Sequence, residues 1–130
     1  VFLGNILTKQ LADVKDIASQ IKLPCFSLII DTIEYWTHNK IVYAGITDIP
    51  AELIALVSQL NNDLQLAGFK LEQRPYIPHL TLVRNADCQQ LPKLKTPIQW
   101  NIKEWMLIQS IPTRASTVYT QLGSWKLMVE

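Results

Sequence analysis

The residues best suited to chemistry in this chain are His79 and Thr81, in the segment Pro78-His79-Leu80-Thr81-Leu82. In an extended strand successive side chains point to opposite faces, so His79 and Thr81 share one face while Leu80 and Leu82 share the other. One face then carries an imidazole and a hydroxyl, and the other is predicted to pack on a core. Imidazole is the side chain whose ordinary pKa lets it take or give a proton near neutral pH. A hydroxyl two residues on can donate a hydrogen bond to an anionic oxygen. The pair suits a phosphate gripped at two points. The same spacing also fits a half-exposed strand that merely includes a histidine.

These residues need a scaffold, and the hydrophobic pattern supplies one. Val1-Phe2-Leu3 reads as the end of a strand, closed by the turn signal Gly4-Asn5. Thr8 fits an N-cap, and Leu11, Val14, Ile17, Ala18 and Ile21 recur at helical spacing, which predicts a helix over 8–22 that stops near Pro24. Cys25–Trp36 is rich in β-branched and aromatic residues. With the polar turn 37–40 and the run 41–46 it predicts an antiparallel hairpin. Pro50 suits the first turn of a second helix carrying Leu53, Ile54, Leu56, Val57, Leu60 and Leu64, ended by Gly68. A short strand is predicted at 69–72, a stiff proline-flanked lead-in at 74–78, and a strand at 79–84. A loop over 85–96 follows, then two long strands, 98–109 and 118–129, joined around Pro112. The order predicts an α+β domain with antiparallel sheets rather than a doubly wound α/β fold.

The lead-in and strand together carry a resemblance. Pro75-Tyr76-Ile77-Pro78-His79-Leu80-Thr81-Leu82-Val83-Arg84 resembles the second signature of the 2′-5′ RNA ligase-like family. The branch it is most similar to is that of the RNA 2′,3′-cyclic phosphodiesterases, within the two-histidine phosphoesterase superfamily. That signature has an aromatic or proline lead-in, then P-H-x-T-L, then an arginine five residues after the histidine. Val1-Phe2-Leu3-Gly4 resembles the segment that follows the family's first H-x-T-L, and the run 41–46 its central strand ending in glycine. The runs 105–110 and 119–122 resemble its last two strands. The likeness therefore covers essentially the whole chain in the right order. The family's first H-x-T-L, expected directly before Val1, is absent from these residues, and so are the strand and helix expected before it. Ala115 and Ser116 stand where the family tends to have glycine.

The resemblance implies two lobes of antiparallel sheet with helices packed outside and a central cleft, one H-x-T motif coming from each lobe. It implies metal-free, cofactor-free opening of an RNA-terminal 2′,3′-cyclic phosphate to a 2′-phosphate, with 2′-5′ ligation as the related reverse reaction. Small cyclic-phosphate nucleotides are the other substrate class. His79 is then a general base or acid, with base the analogy's lean, and Thr81 a phosphate donor. Arg84 is either a phosphate ligand or a solvated charge at a strand end. Five residues from His79, it lies on the wrong face unless the strand ends, twists or bulges. Tyr76 either stacks on a nucleobase or packs in the core. One proton-transfer residue where the mechanism needs two predicts that these 130 residues alone are marginally folded and hydrolyse very poorly. A non-catalytic RNA-end binding module and a purely structural domain are the readings from other classes.

The rest of the chain bounds these readings. A length of 130 residues, with 48% hydrophobic and 18% charged residues, predicts one folded domain, 1–130. A net charge of +1 offers no global field for long nucleic acid, so any RNA contact is local. Cys25 and Cys88 lie far apart with no C-x-x-C spacing, which predicts reduced thiols and a cytoplasmic protein. Two His, two distant Cys and no H-x-x-x-H argue against a structural zinc site, and no apolar run approaches the ~18 residues of a membrane span. His38 is expected at the surface, and Trp36, Trp100, Trp105 and Trp125 in sheet packing. Lys93, Lys95 and Arg114 are either solvated or touch RNA phosphates. A monomer is the default expectation.

Overall fold

The computed structural model describes residues 1–129 and confirms an α+β chain whose named strand pairs are all antiparallel. A single 3-10 turn, Thr8–Gln10, leads into α1, Leu11–Ser19. The predicted helix is thus shorter at both ends. Leu7, not Thr8, is the cap, and its backbone N–H donates to the Gln10 side chain. Helix α2 spans Ala51–Leu66 after Pro50, and Gly68 takes φ +96 just beyond it, a left-handed turn that a side chain disfavours. No helix among the described residues is long and apolar enough to cross a membrane.

The long strands predicted on either side of α2 are each broken in two. β1 is Phe26–Ile30 and β2 is Thr32–Trp36, with Asp31 between them. Asp31 accepts from the backbone N–H and the hydroxyl of Thr47, which holds the bend. β2 forms the expected hairpin with β3, Ile41–Gly45, whereas β1 leaves it to pair with β5, Ile98–Ile102. Lys103 makes the second break, and β6, Glu104–Pro112, pairs with β7, Thr117–Lys126. β4, Leu80–Val83, adds to the free edge of β3, giving the order β2-β3-β4. Residues 1–3 and 69–72 are not strands: neither segment has a ladder partner among the described residues, and Val1 and Phe2 are exposed. The four tryptophans all lie in strands, as expected.

The core forms where the helices meet the sheets. Val14 and Ile21 near α1 pack with Leu56, Leu60 and Leu64 of α2. The other side of α2, through Leu53 and Val57, packs on Phe26, Leu28 and Leu127. Leu23 and Trp105 touch both clusters and join them. Helix α2 thus buries two adjoining stripes, one against α1 and one against β1.

Candidate active site

His79 stands immediately before β4, an exposed residue following the buried Pro78. Its ring is held from three sides. Nδ1 lies 2.9 Å from the Ile77 carbonyl oxygen. A carbonyl can only accept, so Nδ1 carries the proton and Nε2 keeps its lone pair in the neutral ring. The Trp36 indole meets the imidazole edge to face at 4.8 Å between centroids, and the Tyr43 ring does so at 5.9 Å. Both contacts restrict the imidazole, and the free nitrogen is the one available for proton transfer.

Thr81 is opposite Tyr43 on β3, and Tyr43 is opposite Glu34 on β2. Alternation then puts Thr81, Tyr43, Glu34 and Trp36 on one face of the three-stranded sheet. That face also includes Gly45, where a Cβ would lie 2.5 Å from Thr32 Oγ1 and 3.6 Å from Tyr43 Cε2. The close approach, not a special backbone angle, calls for glycine there. Burial, and then the Glu34 carboxylate across the ladder, push the Tyr43 phenol above its ordinary range, so it is a neutral hydroxyl at physiological pH.

The opposite face differs from expectation. Leu80 and Leu82 are 50% and 49% exposed, so no core packs on that side of β4 among the described residues. β4 is an edge strand, and its neighbours Tyr43 and Ala44 are buried while its own apolar side chains face outward. Arg84 follows the last residue of β4 and is exposed. Between Thr81↔Tyr43 and Val83↔Val42 the register shifts, leaving Leu82 as an extra residue. Such a bulge changes the parity of the strand and turns position 84 to the face of Thr81. Asn85, at φ 55, then ends the strand.

Tyr76 lies elsewhere. It packs against the cluster of Phe26, Leu53 and Val57, and burial pushes its phenol up. It also lines an apolar groove of about 780 Å³ whose walls include Leu53, Trp105 and Leu107, but not His79 or Thr81. His38 sits exposed in the β2–β3 turn, its ring 6.3 Å from that of Trp36. The segment after β4 is tied back to this turn. The Tyr35 hydroxyl donates to the Ala86 carbonyl, Ala86 N–H donates to Lys40 O at 2.9 Å, and Lys40 Nζ pairs with Asp87 at 3.0 Å. Sequence reasoning did not anticipate Trp36 or Tyr43 beside the histidine. Their positions, Trp36 directly before the polar turn and Tyr43 three residues after it, were the available signal, since a hairpin places such residues diagonally on one face.

An imidazole with a free Nε2 and a hydroxyl on the same side of the sheet can move a proton and hold an anionic oxygen. Known proteins share this arrangement of the chain. The family described as LigT-like phosphoesterase matches residues 46–119. The RNA 2′,3′-cyclic phosphodiesterase of Escherichia coli (strain K12) is 29% identical over 127 residues, which is 97% of this chain and 72% of that protein. A crystal structure of a phosphoesterase superposes with a TM-score of 0.89 at 29% identity, over 98% of this chain and 74% of that one. The E. coli LigT complex with 3′-AMP gives 0.88 at 29% identity over the same shares. The LigT complex with ATP gives 0.84 at 26% identity, over 98% and 72%. With its sequence and fold in agreement, the chain belongs to the LigT-like phosphoesterase family.

Proposed function

We propose that the protein hydrolyses RNA-terminal 2′,3′-cyclic phosphate to a 2′-phosphate without a metal ion. Water attacks phosphorus as one histidine removes its proton. The bond from phosphorus to the ribose 3′ oxygen breaks, and a second histidine protonates that oxygen. His79 takes one of these roles through Nε2, Thr81 donates to a phosphoryl oxygen, and Arg84 neutralises the charge gathering there. The second histidine is the one the family resemblance places in an H-x-T-L directly ahead of Val1. On this reading the 130 residues are one phosphoesterase domain carrying half of the proton-transfer pair, and alone they turn over very slowly. The reverse reaction, 2′-5′ joining of RNA ends, runs through the same groups. A cytoplasmic monomer fits this role.

The observation that carries the reading is that a tautomer-defined His79 and Thr81 both stand against Tyr43. A second substrate class, small cyclic-phosphate nucleotides, is favoured by the nucleotides held by the related E. coli LigT, 3′-AMP and ATP. The test is turnover of an RNA oligonucleotide ending in 2′,3′-cyclic phosphate, with EDTA present, by the intact protein and its His79→Ala variant. The expected result is an EDTA-resistant 2′-phosphate product that the substitution abolishes. No turnover with binding retained moves the assignment to an RNA-end binding module.

A further inference from the structure

Two aromatic rings stand beside His79 without serving either core. Tyr43 is only 9% exposed, yet it belongs to neither hydrophobic cluster, and Trp36 stacks on it at 4.0 Å between centroids, tilted 33°. Trp36 is half-buried, so the indole stacked on Tyr43 still meets solvent. It is also the ring that touches His79, itself exposed. The stack therefore runs from a buried phenol through an indole to open solvent, next to the imidazole.

The indole is also anchored. Trp36 ends β2, where Tyr35 on the opposite face is pinned through its hydroxyl to Ala86, and Lys40 across the turn is held by Ala86 and Asp87. An aromatic surface fixed before its partner arrives costs little ordering on binding.

We infer that Trp36, backed by Tyr43, is the platform on which the nucleobase beside the cyclic phosphate stacks while His79 and Thr81 face the phosphate. The inference rests on the phosphodiesterase reading and deepens it. Every base has a π face, so a stacking platform tolerates all four, and the substrate class becomes RNA ends of any terminal base rather than a sequence-defined end.

The test compares the intact wild-type protein with Trp36→Leu and Trp36→Phe on two RNA oligonucleotides. One ends in an ordinary nucleoside 2′,3′-cyclic phosphate, and the other ends in the same cyclic phosphate on an abasic ribose. Trp36→Leu should lose about 10- to 100-fold more in kcat/KM on the ordinary end than on the abasic end, with the difference mainly in KM. Trp36→Phe should recover most of the loss. Equal losses on both ends, or none on either, overturn the platform. A binding arm separates this from the hydrolase reading. Adenosine 3′-monophosphate should bind Trp36→Leu more weakly while inorganic phosphate binds both proteins alike. It should also quench tryptophan fluorescence in the wild type but not in Trp36→Phe, a measurement that stands if Trp36→Leu does not fold. Selective loss of nucleotide binding in a protein that turns over no cyclic phosphate keeps the platform and removes the hydrolase reading. Turnover with unchanged nucleotide binding and quenching does the reverse.

Discussion

Thr81 sits directly opposite Tyr43, and Val83 opposite Val42, so Leu82 is an unpaired extra residue between them. This one-residue slip reconciles two demands on a short strand. His79 and Thr81 share a face by simple alternation, and the slip adds Arg84 to that face although it lies an odd number of residues away.

If Arg84 holds the phosphate from there, Arg84→Ala lowers kcat/KM on a cyclic-phosphate end by about 10- to 100-fold, the range for one charge-assisted hydrogen bond lost in the transition state. Arg84→Lys restores only part, since an ammonium lacks the planar fork of a guanidinium. Steady-state kinetics on the intact protein measure both. A solvated strand-end charge predicts no change for either variant.

The Ile77 carbonyl sets the tautomer of His79. Long-range nitrogen–proton NMR of the neutral ring should report Nδ1–H with Nε2 unprotonated. His79→Ala should cost about 10²- to 10⁴-fold in kcat, the usual worth of a positioned general acid or base. An Nε2–H tautomer in the neutral ring contradicts the geometry described for proton removal.

Gly45 fills a space that has no room for a Cβ, with Thr32 Oγ1 2.5 Å from where it would be. Gly45→Ala should destabilise by about 1–3 kcal/mol through overpacking, seen as a lower urea midpoint at unchanged slope. Adding Thr32→Ala removes the clashing atom and should recover most of the loss. A double variant as unstable as the single one places the strain elsewhere.

Tyr43 and Tyr76 both have phenols pushed above their ordinary range, Tyr43 by burial and then by Glu34, Tyr76 by burial. The folded chain holds these protons more tightly than the unfolded chain, whose tyrosines ionise near pH ~10. Their contribution to stability is therefore fully present below that pH and is lost as pH rises through the higher folded values. Urea melts between about pH 9 and about pH 11 should show this fall. Glu34→Gln removes the smaller cause at Tyr43, so its ultraviolet phenolate titration should move down part of the way.

Much of this protein is legible along its chain. The periodic apolar residues of α1 and α2, the β2–β3 hairpin and the H-x-T-L with its proline lead-in are local patterns, and local patterns act through short-range geometry. The α+β class and the family follow from them. The unreadable parts depend on partners distant in sequence. The break at Asp31 exists because Phe26–Ile30 pairs with Ile98–Ile102 while the next five residues pair with β3. Nothing in the run 25–36 announces that division, since both halves are equally β-prone. The exposure of Leu80 and Leu82 is likewise invisible to alternation, which tells which side chains share a face but not whether anything packs on it. The sequence by itself determined which residue types could move a proton and hold a phosphate, because spacing along one strand sets which side chains share a face. Only the tertiary structure decided that a ladder slip turns Arg84 to that face, that Tyr76 goes to the core, and that Trp36 and Tyr43 stand against His79. Each of those outcomes is set by cross-strand register or by packing between distant segments, relations that no single segment encodes.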